Sequence, residues 1–241
     1  MYCHKHRHMT GDIVDGRAGG KLETEVAPDI YKKLEAGREQ KDSIEGVPAL
    51  ANIICVHTFD PNLCPRLRLG VQHIEAPALD RRVSQKVPLG VVRLLGTIIR
   101  PILHENYKST GTFRLANAKY VTCYRRRRNP HVSQEVHRDV AWGSPPGYLS
   151  IFIFLDNTDN GTGGLEIWEN SIDTALDSRN SHRDLRSCRS VKFAPEKGSM
   201  IVFDGRLAHR GLANTSEDVR VGIHVFAWPN DSGLRKLSVF N

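Results

Sequence analysis

Residues 149–155 read Leu-Ser-Ile-Phe-Ile-Phe-Leu and lead directly into Asp156 and Asn157. Apolar residues occupy both odd- and even-numbered positions of this segment. Successive side chains of a strand point to opposite sides of a sheet. A strand with this sequence therefore has to be covered on both faces. We predict a buried central strand over Tyr148–Leu155, with helices on one side and the interior of a barrel on the other.

Further apolar segments flank this strand and are separated by Gly, Asn, Asp and Pro breaks, a pattern typical of short strands. Before them, apolar residues recur at steps of three and four over Pro88–Tyr107, which predicts a supporting helix that Pro101 should kink or interrupt. The sequence thus predicts a mainly β fold with supporting helices, a double-stranded β-helix of the jelly-roll, cupin-like type. The other predicted strands are Ala118–Tyr124, Leu165–Trp168, Ser190–Phe193, Met200–Phe203 and Val219–Trp228.

The 241-residue chain, 39% hydrophobic and 25% charged, has the composition of an ordinary globular protein. We predict a flexible segment over 1–28 and a single domain over 29–241, with helical support at about 83–109 and the jelly-roll core at about 115–230. A short helix is expected over Asp29–Glu39, and irregular structure with short strands over Val47–Asp80. No apolar segment suits a signal peptide or a membrane helix, and the five cysteines form no C-x-x-C pair, so we expect a soluble, intracellular protein.

A histidine and an aspartate separated by one residue, His137 and Asp139, follow the first predicted barrel strand. Residues i and i+2 share one face of a strand, so the imidazole and the carboxylate can reach the same ion. A polar strand end without a metal would show the same pair. A third candidate, His209, follows the strand pattern of Met200–Phe203. Two histidines and one carboxylate leave coordination positions open and suit Fe(II), while catalytic zinc remains chemically possible.

A buried arginine is predicted in the last strand, where Arg220, Gly222, His224 and Phe226 share one face. Arginine is costly to bury without a partner, so its position argues for an anion inside the barrel. The planar guanidinium can donate two parallel hydrogen bonds to a carboxylate. An arginine on an edge strand facing solvent is the alternative.

The ordered set of motifs resembles the Fe(II)/2-oxoglutarate-dependent dioxygenase superfamily, especially its prolyl-4-hydroxylase-like and phytanoyl-CoA-dioxygenase-like branches. The resemblance extends from Tyr120 to Trp228. It implies that His137, Asp139 and His209 bind iron and that Arg220 grips the far carboxylate of 2-oxoglutarate. It also implies that Tyr124 donates a hydrogen bond to this oxoacid, although Tyr120 lies on the same predicted face and Tyr124 is equally compatible with a structural role. The motifs that carry the resemblance are His137-x-Asp139, Gly163-Gly164-Leu165-Glu166, Gly198–Phe203, His209 and Arg220.

The resemblance implies an enzyme that uses Fe(II), 2-oxoglutarate and O2 to hydroxylate or otherwise oxidise a C–H bond, with release of succinate and CO2. The expected substrate is a small molecule or an amino-acid side chain. The alternatives are the same chemistry on a methylated nucleic-acid base, an iron oxidase that needs no oxoacid, and a non-catalytic jelly-roll binding module. No membrane partner is expected, and the sequence does not specify an oligomeric state.

Four side chains are candidates for contact with substrate: Trp142, Trp168, His224 and Arg125. Each has an ordinary structural alternative, since tryptophan and histidine in barrel strands commonly belong to the core. Arg125 begins a run of four arginines before the iron ligands, and the net charge of +7 adds attraction for anions. A solvated basic loop is the alternative for this run.

Overall fold

The computed structural model describes residues 53–72, 82–107, 113–125, 131–141, 144, 146–159, 161–174, 176 and 185–229, together with the backbone of 2–4. Its helices are α1 (Cys64–Leu67) and α2 (Leu89–Tyr107), with short 3-10 turns at Pro61–Leu63 and Leu185–Ser187. Its strands, in chain order, are β1 (Tyr2–His4), β2 (Ile54–Thr58), β3 (Val83–Lys86), β4 (Phe113–Cys123), β5 (Leu149–Phe154), β6 (Leu165–Trp168), β7 (Ser190–Phe193), β8 (Ser199–Asp204), β9 (His209–Gly211) and β10 (Arg220–Pro229).

The described strands form two sheets. The major sheet has the order β1-β2-β8-β5-β10-β4-β3, and the minor sheet has the order β7-β6-β9. Every pairing is antiparallel except that of β1 with β2. β5 lies at the centre of the major sheet, and its antiparallel neighbours come from distant parts of the chain. This crossing of non-sequential strands is the arrangement of a double-stranded β-helix.

One face of the major sheet packs against helix α2. The side chains of Leu149, Ile151 and Ile153 point to this helix-side layer, together with alternate residues of β10. The helix contributes apolar residues at three- and four-residue steps, because these positions lie on one face of an α-helix. They are Val91, Leu95, Ile98, Ile99 and Leu103.

The other face of the major sheet packs against the minor sheet, and this space is the inter-sheet layer. Phe154 of β5 and Phe203 of β8 meet Leu165 and Ile167 of β6 here. Consecutive residues of β5 therefore enter different layers, which explains why the segment is apolar at both odd- and even-numbered positions. Of the helices in the described part, none has the length and apolar character needed to span a bilayer.

The predicted jelly roll and its supporting helix are confirmed, with bounds of most predicted strands correct within a few residues. Two predictions were wrong in part. The helical support does not begin at 83, because Val83–Lys86 is an edge strand paired with β4. Helix α2 is not interrupted at Pro101 and continues to Tyr107. Within the predicted flexible segment, only the backbone of Tyr2–His4 is described, and it pairs with β2, so the flexibility of 1–28 stays a prediction. The predicted helix over Asp29–Glu39 lies outside the described residues.

Candidate active site

The two histidines of the predicted metal set lie opposite each other. His137 and His209 form an antiparallel bridge, with the His137 N–H donating to the His209 carbonyl at 3.0 Å and the reverse bond at 2.9 Å. Residues directly opposite in an antiparallel pair project their side chains to the same side. The two imidazole centroids are accordingly 4.4 Å apart. Two backbone hydrogen bonds thus place side by side two residues that are distant in sequence.

Backbone carbonyls orient both rings. The Nδ1 atom of His137 is 2.9 Å from the Glu135 carbonyl, and that of His209 is 3.0 Å from the Leu207 carbonyl. A carbonyl can only accept, so each Nδ1 carries a proton and each Nε2 is the atom that would bind a metal. The Nε2 of His209 is buried and makes no well-formed hydrogen bond among the described residues, although a carboxylate oxygen of Asp139 lies 3.3 Å from it.

Asp139 completes the set but does not lie in a strand. The His137 bridge is isolated, and the chain bends at Asp139, whose N–H donates to the Gly205 carbonyl at 3.1 Å. The prediction that the pair shares a strand face was therefore wrong in its local structure, although the two side chains still converge. The ligand atoms of His137, Asp139 and His209 all lie within 4.8 Å of one another.

Several groups surround the Asp139 carboxylate. The Ser150 hydroxyl donates to its Oδ2, and the Nε2 atoms of His209 and His224 each lie 3.3 Å from the same oxygen. Burial alone would raise the pKa of Asp139, but these two imidazoles outweigh burial and hold the pKa well below its usual value. The side chain is thus kept as a carboxylate, the form that binds a metal.

The protonation of the two histidines differs. Burial and the neighbouring His209 lower the pKa of His137 to about 4, partly opposed by Asp139. For His209, burial also acts to lower the pKa, but Asp139 outweighs it and the pKa is raised. A proton on His209 therefore competes with a metal, and metal binding should release it. Two imidazoles and one carboxylate whose ligand atoms lie this close together fit a divalent transition metal that retains open positions.

Arg220 is buried at the start of β10, with 7% of the residue exposed. Its guanidinium donates to the carbonyl of Gly163, and Nη2 lies 3.1 Å from the Cys123 Sγ. No carboxylate of the described residues lies within ion-pair distance of it. Gly163 has φ +69°, and a Cβ there would overlap the backbone carbonyl of Ala213, so only glycine allows this close turn beneath the guanidinium. The site therefore holds a buried cation with neutral partners.

The remaining predicted residues lie in varied surroundings. The Tyr124 hydroxyl is buried without a hydrogen-bond partner among the described residues, whereas the Tyr120 hydroxyl donates to the carbonyls of Leu67 and Leu69 at the end of helix α1. His224 stacks on Phe152 with centroids 4.4 Å apart. Trp168 is buried in a small cluster with Val136, Leu185 and Ala208. Arg125 is half exposed and pairs with Glu217. Trp142 lies outside the described residues.

Sequence reasoning missed four side chains of this site: Ser150, Cys123, Gln134 and Arg82. Ser150 is the only hydroxyl residue in the apolar segment 149–155, and this exception in the sequence could have indicated a role for it. Cys123 lies opposite Arg220 in the register of β4 and β10. Gln134 lies between Arg82 and the metal histidines, with its amide nitrogen 3.4 Å from the His137 Nε2. Arg82 and Gln134 carry no local pattern, because only the fold places them here.

Solved structures share this fold. AviO1 from Streptomyces viridochromogenes Tue57 has a TM-score of 0.58 at 15% identity, covering 81% of this chain and 100% of AviO1. HygX from Streptomyces hygroscopicus, solved with nickel and 2-oxoglutarate, has a TM-score of 0.57 at 11% identity and covers 78% and 87%. SnoK, a non-haem α-ketoglutarate-dependent carbocyclase of nogalamycin biosynthesis, has a TM-score of 0.51 at 20% identity and covers 74% and 80%.

No protein-family model matches the sequence, and no curated protein is significantly similar to it. At identities of 11–20%, the structural likenesses establish the fold. The chain is a double-stranded β-helix in which two imidazoles, a carboxylate and a buried guanidinium face the space between the two sheets.

Proposed function

We propose that the protein is a non-haem Fe(II)- and 2-oxoglutarate-dependent oxygenase that acts on a small organic molecule. The observation that carries this proposal is the pairing of an open His-Asp-His set with a buried arginine that has no carboxylate partner among the described residues. A metal-chelating dianion would satisfy both features at once. The shared fold with HygX, which binds nickel and 2-oxoglutarate, supports the same conclusion.

In this proposal His137, Asp139 and His209 hold the metal, and Arg220 grips the far carboxylate of the oxoacid. When bound, iron and oxoacid supply the oxidising chemistry, in which O2 is consumed, a substrate C–H bond is oxidised, and succinate and CO2 are released. Tyr124 remains a candidate donor to the oxoacid, because its buried hydroxyl has no described partner.

The other residues of the site orient these groups and exclude water. Ser150 holds one oxygen of Asp139, which leaves the other oxygen available to the metal. The rings of Phe152 and Phe203 pack around the imidazole of His209, with centroids 6.3 and 4.9 Å from it. A dry, rigid wall of this kind keeps the ligands in place and protects a reactive centre from solvent.

A small-molecule substrate is favoured over a nucleic-acid base. Similar folds have been solved with hygromycin B in HygX and with a nogalamycin compound in the epimerase SnoN. The one arginine of the basic run that the structure describes, Arg125, is paired with Glu217, which reduces its attraction for phosphate. Contacts of substrate with Trp142, Trp168, His224 and Arg125 remain predictions.

The proposal is tested by oxoacid binding to the full-length protein loaded anaerobically with Fe(II), or with redox-inert Ni(II) for calorimetry. We expect wild type to bind 2-oxoglutarate and, with O2 and a substrate panel, to release succinate. Arg220→Met should weaken 2-oxoglutarate binding about 100-fold, since two charge-assisted hydrogen bonds contribute about 1.5 kcal/mol each.

The matched control is Arg125→Met, which removes the same charge from an exposed position and should leave oxoacid affinity unchanged. Failure of the wild type to bind Fe(II) or Ni(II) would favour a binding module. Equal oxoacid affinity in Arg220→Met and wild type would overturn the role of Arg220.

A further inference from the structure

A second guanidinium reaches the oxoacid site. Arg82 immediately precedes the edge strand β3, and its guanidinium donates to the side-chain oxygen of Gln134 and, at 3.2 Å, to the Leu212 carbonyl. It lies directly against Gly211, where an added Cβ would overlap three guanidinium atoms. Gln134 and Gly211 both lie within a few residues of the metal histidines. Arg82 therefore extends from the sheet edge to the metal end of the site.

Arg82 and Arg220 line the same cavity. A space of about 20 Å³ lies between the two sheets, and its walls include Arg82, Cys123, Arg220 and Gly222. Gly222 follows Arg220 on the same face of β10 and offers no side-chain donor. Among the side chains that line this cavity, the polar groups beside Arg220 are those of Arg82 and Cys123.

Both guanidinium groups lie close enough to the Cys123 thiol to affect its pKa. Arg220 Nη2 is 3.1 Å from the sulfur, and Arg82 lines the same cavity. Burial alone would raise the pKa of Cys123, but the charges and hydrogen bonds of Arg82 and Arg220 outweigh burial and lower it. Two like charges around one buried group repel each other, and an anion placed between them relieves that repulsion.

We propose that Arg82 is a specificity residue for the oxoacid, which together with Arg220 clamps the distal carboxylate and selects dicarboxylic over monocarboxylic 2-oxoacids. This inference rests on the proposed function and adds a residue to it. The carboxylate takes the place of the Cys123 sulfur and the Leu212 carbonyl as acceptor. The present cavity of about 20 Å³ has room for about one water molecule, so its walls, Arg82 among them, must shift to admit the ligand. Its position before a short edge strand makes that shift feasible.

The test compares two five-carbon ligands that differ only in the distal carboxylate, 2-oxoglutarate and 2-oxopentanoate, by calorimetry on full-length Ni(II)-loaded protein. Arg82→Met should weaken 2-oxoglutarate binding at least about tenfold and leave 2-oxopentanoate affinity within about twofold of wild type. Arg82→Lys, which keeps the charge, should recover part of the loss. Lys86→Met removes an exposed cation from the adjoining strand β3 and should change neither affinity.

Two outcomes would overturn the inference alone: unchanged 2-oxoglutarate affinity in Arg82→Met, or an equal loss for both ligands, which would mark a structural role. If the wild-type protein binds Ni(II) but neither oxoacid, both the proposed function and this inference are overturned. The wild-type titration therefore separates the two failures.

Discussion

The two layers on either side of the major sheet contrast sharply. The helix-side layer joins α2 to the sheet through buried aliphatic side chains. The inter-sheet layer holds the imidazoles, the carboxylate and the guanidinium of the candidate site. Strand β10 contributes to both, since Val221, Ile223 and Val225 face the helix while Arg220 and His224 face the minor sheet. One strand therefore supplies stability from one face and binding groups from the other.

The difference shows where the fold can sustain an energetic cost. Buried polar atoms without a well-formed hydrogen bond are destabilising, yet the Nε2 atoms of His209 and His224 are such atoms in the inter-sheet layer, with the Asp139 carboxylate 3.3 Å from each. The continuous apolar contacts of the helix-side layer offset that cost. We therefore expect substitutions in the helix-side layer to change stability, and those in the inter-sheet layer to change ligand binding.

The largest expected effect is on the helix side. Ile223 is fully buried in that layer. Ile223→Ala should lower the free energy of unfolding by about 2–5 kcal/mol, because it removes packed methyl groups and leaves a cavity. Urea denaturation measures this loss, and Ni(II) affinity of the folded variant should stay within about twofold of wild type.

Val219→Ala, at a partly exposed position just before β10, is the control and should change stability by less than about 0.5 kcal/mol. Loss of Ni(II) affinity in Ile223→Ala without loss of stability would contradict the division between the layers.

A buried histidine in the helix-side layer should make stability depend on pH. His57 is 6% exposed on β2, and burial lowers its pKa to about 4, partly opposed by Glu105. Between pH 6.5 and 4 the unfolded chain binds the proton and the folded chain does not, so stability falls as the pH falls through this window. The contribution is on the order of 3 kcal/mol, at about 1.4 kcal/mol per pKa unit.

His57→Gln should therefore lose less stability than wild type between pH 6.5 and 4, as measured by urea denaturation of the metal-free protein. The slope should not vanish, because His137 also has its pKa lowered to about 4. His104→Gln, at an exposed position of α2, should keep the wild-type profile. Parallel profiles for His57→Gln and wild type would show that burial of His57 has no such effect.

The smallest expected effect concerns a neighbour of the metal set. The Nε2 of His224 lies 3.3 Å from the Oδ2 of Asp139, so the imidazole helps to position this ligand. His224→Phe should weaken Ni(II) binding about tenfold, the lower end for residues that orient metal ligands. The stability should change by less than about 1 kcal/mol, since a phenyl ring can still stack on Phe152.

Calorimetry gives the affinity and thermal melting gives the stability of His224→Phe. Partial recovery of affinity in His224→Gln, which restores a donor, would sharpen the assignment of a positioning role. Wild-type Ni(II) affinity in His224→Phe would contradict it.

Local patterns predicted much of the fold. The apolar segment around Ile151 required cover on both faces, and the periodicity of 88–107 required a helix, because burial of these faces is the main favourable contribution to folding. Val83–Lys86 was misassigned because a four-residue edge strand has weak local preference, and its pairing with β4 determines its conformation. Helix α2 continues through Pro101 although the local rule predicted a kink or break.

The candidate site was predicted in part. His137, Asp139 and His209 could be proposed from residue type and order, and the structure brings them together. Trp168 and Tyr120 both belong to buried, packed surroundings, a result that residue type alone could not decide. The contacts of Asp139 with Ser150 and His224 also escaped sequence reasoning, since three different segments meet at that carboxylate.

The sequence alone determined the residue types that permit this chemistry and the strand periodicities that make a barrel, because both depend on side chains close together in the chain. The tertiary structure alone decided that Arg82 lines the same cavity as Arg220 and that a backbone bridge holds His137 against His209. The physical reason is that these contacts join segments many residues apart, whose meeting depends on strand order and register rather than on local preference.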